Sequence, residues 1–498
     1  MKTVKKIIKI FLLSVIALIL LGVGFTYIYG EKIEQLMLEK IREKSTTEIK
    51  VKEVRFSFFD NFPYASVKLT DVLIMGKESN IKDTLLYAKE SHLQFNIFNL
   101  LSEKQEINKV VLLKSKLNIK YDIDGNPNFK IFKEAKEKEK KVKINQIYFF
   151  ESKISYIHQK KNTEIKGITH KVLLEFQKEI QSDFLVKGDL YMQNLVVEET
   201  DYIYKKECKI DASFSFSDSV CYIKKSTLFI EDIQLALAGE VKRKNVNLDI
   251  SATNQALKSI LTHMPEKFKS ICNKFTTDGN LSCIGKVKGE ISKTNNPHFN
   301  MDFSITNGLF NLKENPFELS EISMQANIDN GNTNNFETSI IKVNNCIAKT
   351  KNGSFSGSFQ VRNLNNYYLS TDINSNLDLA EVNQLFENTL FFNMKGELVG
   401  NTKYNGLLSF SKKMKQNFLD ATHQSTISLK KVEFQYKKSA LVFGFKNLQG
   451  EIKGDKILVE KSDITISDSD FKFDGSITNF IPYLLRESNT IEMKGNMQ

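Results

Sequence analysis

The stretch Ile210-Asp-Ala-Ser-Phe-Ser-Phe-Ser217 alternates apolar and polar side chains at every step. Because successive side chains of an extended strand point to opposite faces of a sheet, this period of two predicts a β-strand with one apolar and one polar face. The same alternation recurs beyond residue 50, notably in 301–306, 354–361, 441–445 and 471–477. Many such strands at short spacing predict a mainly β protein built on a long antiparallel sheet.

Phenylalanine supplies much of the bulk of the predicted apolar face, since the chain contains 37 Phe and no Trp. Such a face either packs against a second layer as a closed core or stays open as a trough for hydrocarbon, and alternation alone fits both. An acyl chain in water costs about 0.8 kcal/mol per exposed CH₂, so a curled sheet with an open apolar face would stabilise a lipid tail. The candidate lining residues are Phe214, Phe216, Phe303, Phe355, Phe359, Phe443, Phe445, Phe471 and Phe473.

Two helical stripes interrupt the strands, at 257–268 and 382–390. Each stripe follows a copy of one motif, Asn247-Leu-Asp-Ile250 in the first case and Asn376-Leu-Asp-Leu379 in the second. A third copy begins near Gly475 and stops before it is complete. Self-similarity of this kind predicts repeating sheet units, each of which covers the open edge of its neighbour.

The first 30 residues predict a membrane anchor. Lys2, Lys5 and Lys6 precede an apolar run, residues 7–29, that contains no acidic residue. About 20 apolar residues in a helix cross a hydrocarbon core of roughly 30 Å, and the lysines favour a cytoplasmic N-terminus. A cleaved signal peptide begins in the same way, but this apolar run continues as far as Tyr29, so we favour an uncleaved anchor.

The predicted organisation therefore has four parts. Residues 1–30 form a transmembrane anchor and residues 31–50 a juxtamembrane helix, because apolar side chains recur there at helical spacing. Residues 51–240 form an N-terminal β domain, and residues 241–498 form β repeats with short helices.

The sequence contains no pattern typical of an enzyme or a metal site. Its six histidines lack metal-ligand spacing, and the sequence contains no phosphate-binding loop or nucleic-acid module. The single G-x-G, Gly22 and Gly24, lies inside the apolar run, where it cannot bind phosphate. The net charge of +11 suits anionic headgroups, or equally an ordinary lysine-rich surface. Five cysteines without a CxxC exclude a dense disulfide framework and leave free thiols or a single Cys272–Cys283 bridge. We expect no catalytic residue, cofactor, metal or nucleic-acid partner.

Several stretches of the first 170 residues resemble the AsmA family of envelope proteins, and the later repeats resemble it more loosely. The matching stretches are Val51–Phe56 with Tyr64–Ile74, Phe95–Leu101 with Ile107–Leu113, the acidic–Gly turn Tyr121–Asn126 with Asn128, and Ile144–Phe149 with Ser152–Tyr156.

The resemblance implies an inner-membrane protein with its bulk in the periplasm. It also implies kinship to bridge-like lipid-transfer proteins, whose sheets curl into an elongated groove. The expected partners are then the inner membrane, through residues 7–29, phospholipid or acyl chains in the groove, and an outer-membrane or envelope protein. The alternative is a periplasmic scaffold that helps outer-membrane proteins to assemble without carrying lipid.

Overall fold

The structure of the chain is a computed structural model. It describes residues 45–57, 64–77, 83–96, 106–133, 143–177, 183–197, 200–217, 219–264, 273–291, 295–313, 318–385, 391–408, 414–436, 441–484 and 490–498, together with Tyr27, Glu31, Gln35, Glu39 and Glu43. The chain divides into two compact units, Met1–Asp232 and Ile233–Gln498, near the predicted boundary at residue 240. Both units are mainly β, as predicted, and the described residues form 24 strands.

Unit 1 holds the first ten strands, which follow the alternating segments of the sequence. Their bounds are β1 Ile49–Lys50, β2 Glu53–Ser57, β3 Tyr64–Met75, β4 Thr84–Asn96, β5 Glu106–Tyr121, β6 Lys143–His158, β7 Thr163–Phe176, β8 Phe184–Val197, β9 Thr200–Ser217 and β10 Val220–Ile230. Strands β1 and β2 both pair with β3, and from β3 to β10 each strand pairs with the next. Every pair is antiparallel except β5–β6, where the prediction of an antiparallel sheet is corrected to a parallel pair.

The parallel pair gives a structural role to the predicted acidic–Gly turn. A strand followed by a parallel neighbour needs a crossover that returns the chain to the other end of the sheet, and this turn begins it. Asp122 Oδ1 accepts from the backbone N–H of Asn126 at 2.7 Å, and Gly125 takes φ +91°, which glycine adopts without strain. The fully buried Asn128 then accepts from the backbone N–H of Lys120 at 2.9 Å and so ties the crossover to the end of β5.

Among the described residues, unit 2 holds the other fourteen strands in simple chain order, with four short helices. The strands are β11 Ile233–Lys242, β12 Asn245–Ala256, β13 Phe275–Glu290, β14 His298–Leu312, β15 Glu318–Asp329, β16 Ile340–Lys349, β17 Ser354–Arg362, β18 Tyr368–Asp378, β19 Phe391–Leu407, β20 Thr422–Tyr436, β21 Val442–Lys453, β22 Lys456–Ile466, β23 Ser469–Thr478 and β24 Glu492–Met497. The helices are α1 Leu257–His263, α2 Leu379–Leu385, α3 Met414–Asp420 and α4 Phe480–Leu484. Each strand pairs antiparallel with the next, and no pairing among the described residues closes the sheet from β24 to β11.

The repeats predicted from the sequence occupy equivalent places in unit 2. Asn247-Leu-Asp-Ile250 lies in β12, which leads into α1, and Asn376-Leu-Asp-Leu379 ends β18 at the start of α2. The described parts of the two helical stripes lie in α1 and α2, and α2 begins three residues before the predicted stripe; residues 265–268 and 386–390 of the stripes lie outside the described residues. The repeat is six strands long. Asn363 and Asn479 follow β17 and β23 with the same φ of +59°, as expected for equivalent positions of successive repeats.

The predicted anchor, residues 7–29, lies outside the described residues except for Tyr27. Within 31–44 the described residues are helical, whereas Ile49–Lys50 form β1, so the helix predicted for 31–50 ends earlier than expected. None of the described helices has the length and apolar character needed to cross a bilayer.

Two clusters of buried apolar side chains lie among the described residues, one in each unit. In unit 1 they lie on β2–β6 and include Phe56, Val67, Leu93 and Leu112. In unit 2 they lie on β21–β23 and comprise Leu448, Ile457, Val459 and Phe473. These clusters supply the hydrophobic packing that holds neighbouring strands together.

Candidate functional site

The apolar face of unit 2 is defined by the register of its strands. One row of directly opposed residues crosses nine strands, from β12 to β20, and we call it the Phe303 row. Its members are Ala252, Cys283, Phe303, Ala326, Val343, Phe359, Thr371, Tyr404 and His423. Residues two positions along each regular strand share this face, so the row marks a continuous surface.

Unit 1 has a comparable row across seven strands, from β3 to β9. Its members are Val67, Leu93, Val110, Ile147, Leu174, Val186 and Ala212. The apolar face therefore passes through the parallel β5–β6 pair without changing side.

The reverse face of each sheet carries charged cross-strand pairs. Lys286 meets Asp249 at 3.2 Å in unit 2, and Lys187 meets Asp211 at 2.8 Å in unit 1. Exposed pairs of this kind contribute only about 0–1 kcal/mol each. They indicate that the reverse faces are wetted by solvent.

All nine candidate phenylalanines lie on the apolar faces, but not in one place. Phe214 and Phe216 lie on β9 of unit 1, and the other seven lie in unit 2. Within unit 2, Phe303 and Phe359 belong to the Phe303 row, Phe355 lies two residues from Phe359 on β17, Phe443 and Phe445 lie on β21, and Phe471 and Phe473 lie on β23.

Their burial bears on the two interpretations that alternation leaves open. Phe473 is only 4% exposed and belongs to the packed core of unit 2, so the closed-core interpretation holds there. Phe303, Phe355 and Phe359 are half-buried although a strand flanks each of them on both sides. A second layer packed on this face would bury them almost fully, so the described residues place no such layer over them.

Sequence reasoning missed further aromatic residues on the same faces. The ring of Phe184 lies 5.1 Å from that of Phe214 and 5.5 Å from that of Phe216. The ring of Phe434 lies 5.6 Å from that of Phe443. The alternation around Phe184 and Phe434 was visible in the sequence, but only strand register shows which phenylalanines meet.

Left-handed residues at matching positions of neighbouring strands interrupt the alternation along a line across unit 1, and we call these positions bulges although the pairing keeps one register on either side of them. Lys114 and Glu151 take φ values of +49° and +46°, and each is followed by a buried serine, Ser115 or Ser152. Ser152 Oγ accepts from the backbone N–H of Ser115 at 3.1 Å, and Thr169 Oγ1 accepts from that of Ser152 at 3.1 Å. These hydroxyls satisfy buried N–H groups at a point where bulges disrupt the strand ladder.

Two buried histidines lie on the apolar faces at strand ends, His158 on β6 and His423 on β20. Nδ1 of each has no hydrogen-bond partner among the described residues. The ring of Tyr121 stacks 4.8 Å from that of His158, and the ring of Phe418, on α3, lies 4.5 Å from that of His423. Burial lowers the pKa of both imidazoles, which favours their neutral forms.

The four described cysteines, Cys208, Cys221, Cys283 and Cys346, are free thiols. Cys283, one partner of the Cys272–Cys283 bridge that the sequence left open, is therefore a free thiol, and Cys272 lies outside the described residues. Burial raises the pKa of the Cys208 thiol to about 11, so it stays protonated and unreactive at neutral pH.

Among the described residues, no group of three or more His, Cys, Asp or Glu side chains could hold a metal ion. Comparison of the chain with models of known protein families, with curated proteins and with solved structures gives no match. The two apolar faces, with their buried histidines, are therefore the candidate site that the geometry itself provides.

Proposed function

We propose that the apolar faces of the two units bind the hydrocarbon tails of phospholipids or other acyl chains. The observation that carries this proposal is the Phe303 row, in which large apolar side chains remain half-buried in the middle of a sheet whose reverse face is charged. Binding a tail would remove apolar surface of both partners from water, at about 25 cal/mol per Å². Soluble monomeric domains rarely expose a large apolar patch, so a domain without such a ligand would be expected to cover this face with other parts of its chain.

The bulges support a groove rather than a flat surface. A bulge bends its strand, and aligned bulges in neighbouring strands bend a sheet along one line. At the bulge of β6, Ser152 on the apolar side is 0% exposed, whereas the side chain of Glu151 on the reverse side is 66% exposed. This contrast is expected when the apolar face lies on the inner side of the bend.

The dimensions of the Phe303 row suit a lipid tail. Nine strands at about 4.8 Å spacing extend over roughly 40 Å. One leaflet of a bilayer is roughly 15 Å of hydrocarbon, so the row is longer than a single extended tail. A ligand could therefore occupy successive positions along the row, as transport along a groove requires.

The resemblance to the AsmA family supports a location for this activity. We propose that residues 7–29 anchor the chain in the inner membrane and that the β units act in the periplasm, in phospholipid homeostasis or outer-membrane assembly. No catalytic step is part of this proposal, since tail binding requires only apolar surface.

A photo-crosslinking experiment in cells that produce the full chain tests the proposal. p-Benzoylphenylalanine replaces Phe303, and the matched control places it at Asp302, the preceding residue on the reverse face. After irradiation, phospholipid attached to the purified protein is detected by mass spectrometry and by radiolabelled phosphate. We expect lipid attachment at Phe303 and little or none at Asp302.

Equal labelling at both positions, or none at either, would argue against an acyl-chain site. If position 303 instead crosslinked to an outer-membrane protein and not to lipid, the scaffold interpretation would replace the lipid one.

A further inference from the structure

The Phe303 row ends in a small polar island on an otherwise apolar face. Tyr404 and His423 are its last two members, and Thr402 and Ser425 form the neighbouring pair, with their hydroxyl oxygens 3.2 Å apart. The hydroxyl of Tyr404 donates to the carbonyl of Leu407 at 2.9 Å. A mostly apolar surface with a few convergent polar groups is the usual composition of a site that orients an amphiphilic ligand.

His423 is the member of this island whose hydrogen bonding is incomplete. It is only 9% exposed, and hydrogen bonding with the backbone of Phe418, which raises the pKa of the imidazole against the larger effect of burial, favours a proton on the ring nitrogen that faces Phe418. A neutral imidazole has one donor and one acceptor nitrogen. Nδ1, which has no partner among the described residues, is then the acceptor and lacks a donor. Burying an acceptor without a partner is unfavourable, so a donor brought by a ligand would be stabilised there.

Unit 1 contains the same combination at the end of β6. His158 is 7% exposed and its Nδ1 also lacks a partner among the described residues. Tyr121 stacks on it, and the ring of Phe129, from the crossover, lies 5.6 Å from that of Tyr121. In unit 2 the corresponding outer ring is Phe418, from α3. Phe129 and Phe418 are each 39% exposed, so the outer ring of each cluster lies at the surface, and displacement of that ring would open the buried Nδ1 to a ligand.

We infer that these two clusters each hold the polar head of an amphiphile, through a hydrogen bond from a hydroxyl or ammonium group of that head to Nδ1 of His158 or His423. The inference rests on the proposed binding of acyl chains, because the tail of the same molecule would lie on the adjoining apolar face. Hydroxyl and ammonium heads share the required donor, and the aromatic rings around each histidine also favour an ammonium group. A choline head has neither an N–H nor an O–H and cannot make this bond.

The test uses the full chain, purified in a non-ionic detergent. It is incubated with an equimolar mixture of phosphatidylethanolamine, phosphatidylglycerol and phosphatidylcholine that carry identical acyl chains. Lipid that stays bound after repurification is quantified by mass spectrometry. We expect donor-bearing lipids to be enriched over phosphatidylcholine by about tenfold, the factor that one net hydrogen bond supplies.

The histidine variants decide whether the clusters cause this preference. The double variant His158→Leu and His423→Leu should bind the same total lipid with the preference lost. His423→Asn, whose amide oxygen can accept in place of Nδ1, should retain a preference if the fold tolerates it. His298→Leu is the matched control, because His298 lies on the reverse face next to Asp329, and it should retain the full preference.

An unchanged preference in a folded double variant overturns the inference while leaving tail binding intact. If the double variant does not fold, loss of the preference in a folded His423→Asn variant overturns the inference for unit 2. Wild-type protein that retains no lipid overturns the proposed function itself. Selective enrichment of phosphatidylethanolamine or of phosphatidylglycerol distinguishes an ammonium from a hydroxyl donor.

Discussion

Phe303→Glu separates an open apolar face from a closed core, because the two arrangements respond to a carboxylate in opposite ways. Phe303 lies on the interior strand β14, directly opposite Cys283 on one side and Ala326 on the other. Neither neighbour offers a strong hydrogen-bond donor to a carboxylate. The new charge would therefore be unpaired wherever a hydrocarbon tail excludes water from it.

The size of the effect follows from this environment. Desolvating an unpaired carboxylate costs several kcal/mol, and taking about 3 kcal/mol for partial desolvation gives roughly a 100-fold loss of local tail occupancy. With no tail bound, the carboxylate reaches water. Because Phe303 is already partly exposed, the fold then loses less than the roughly 1.5–3 kcal/mol that full burial of a large apolar side chain contributes. Most of a typical stability of 5–15 kcal/mol would remain.

The assay measures lipid crosslinking at Phe359, another member of the Phe303 row, together with chemical denaturation of the same protein. Ser304→Glu is the matched control, since it places the same charge on the adjacent residue of the reverse face. We expect at least a tenfold loss of crosslinking in Phe303→Glu and none in Ser304→Glu. Retention of wild-type crosslinking by a folded Phe303→Glu protein would refute the reasoning, and failure of that variant to fold would show that position 303 belongs to a sealed core.

Two further predictions concern stability. Ser152→Ala should lower the free energy of unfolding by about 1–3 kcal/mol in urea denaturation, because it leaves the buried N–H of Ser115 without its acceptor. An equal loss in Ser155→Ala, on the same strand, would show that the hydrogen bond from Ser115 to Ser152 is not the cause. Lowering the pH below about 6.5, the ordinary pKa of histidine, should reduce the thermal stability of the full chain. Burial lowers the pKa of His158 and of His423 in the folded state, so the unfolded state binds protons more readily and gains stability relative to the folded state. The stability is fully present above that pH and is lost as the pH falls through the folded pKa values. If the melting temperature of the double variant His158→Leu and His423→Leu falls with pH as much as that of the wild type, these two histidines are not the source.

The alternation of residues was sufficient to predict the mainly β fold and the face on which each candidate phenylalanine lies. Apolar side chains at helical spacing indicated α1 and α2, and the repeated Asn-Leu-Asp motif before each of them placed both helices at equivalent points. Such local patterns succeed because the direction of a side chain in a strand depends only on its own position along that strand.

The features that the sequence did not reveal depend on neighbours that are distant in the chain. The parallel pairing of β5 with β6 depends on the crossover between them. Asn128, which ties the crossover to β5, looks in the sequence like an ordinary turn residue. The burial of Phe473 and the openness around Phe303 follow from what lies across the sheet, which alternation does not encode. His158 and His423 lacked any spacing that would connect them, because each acquires its aromatic neighbours only through tertiary contacts.

Because β11 to β24 pair strictly in chain order, the length of the apolar surface in unit 2 depends on how many strands the unit contains. Since each strand depends only on the two that adjoin it in the chain, removing or duplicating one hairpin would leave every other register in place. Contacts of such short sequence separation also let segments fold as they emerge, without waiting for remote partners. Evolution could thus change the length of this apolar surface by changing the number of hairpins. Each hairpin adds two strands, and the residues of the existing strands would stay on the faces where they already lie.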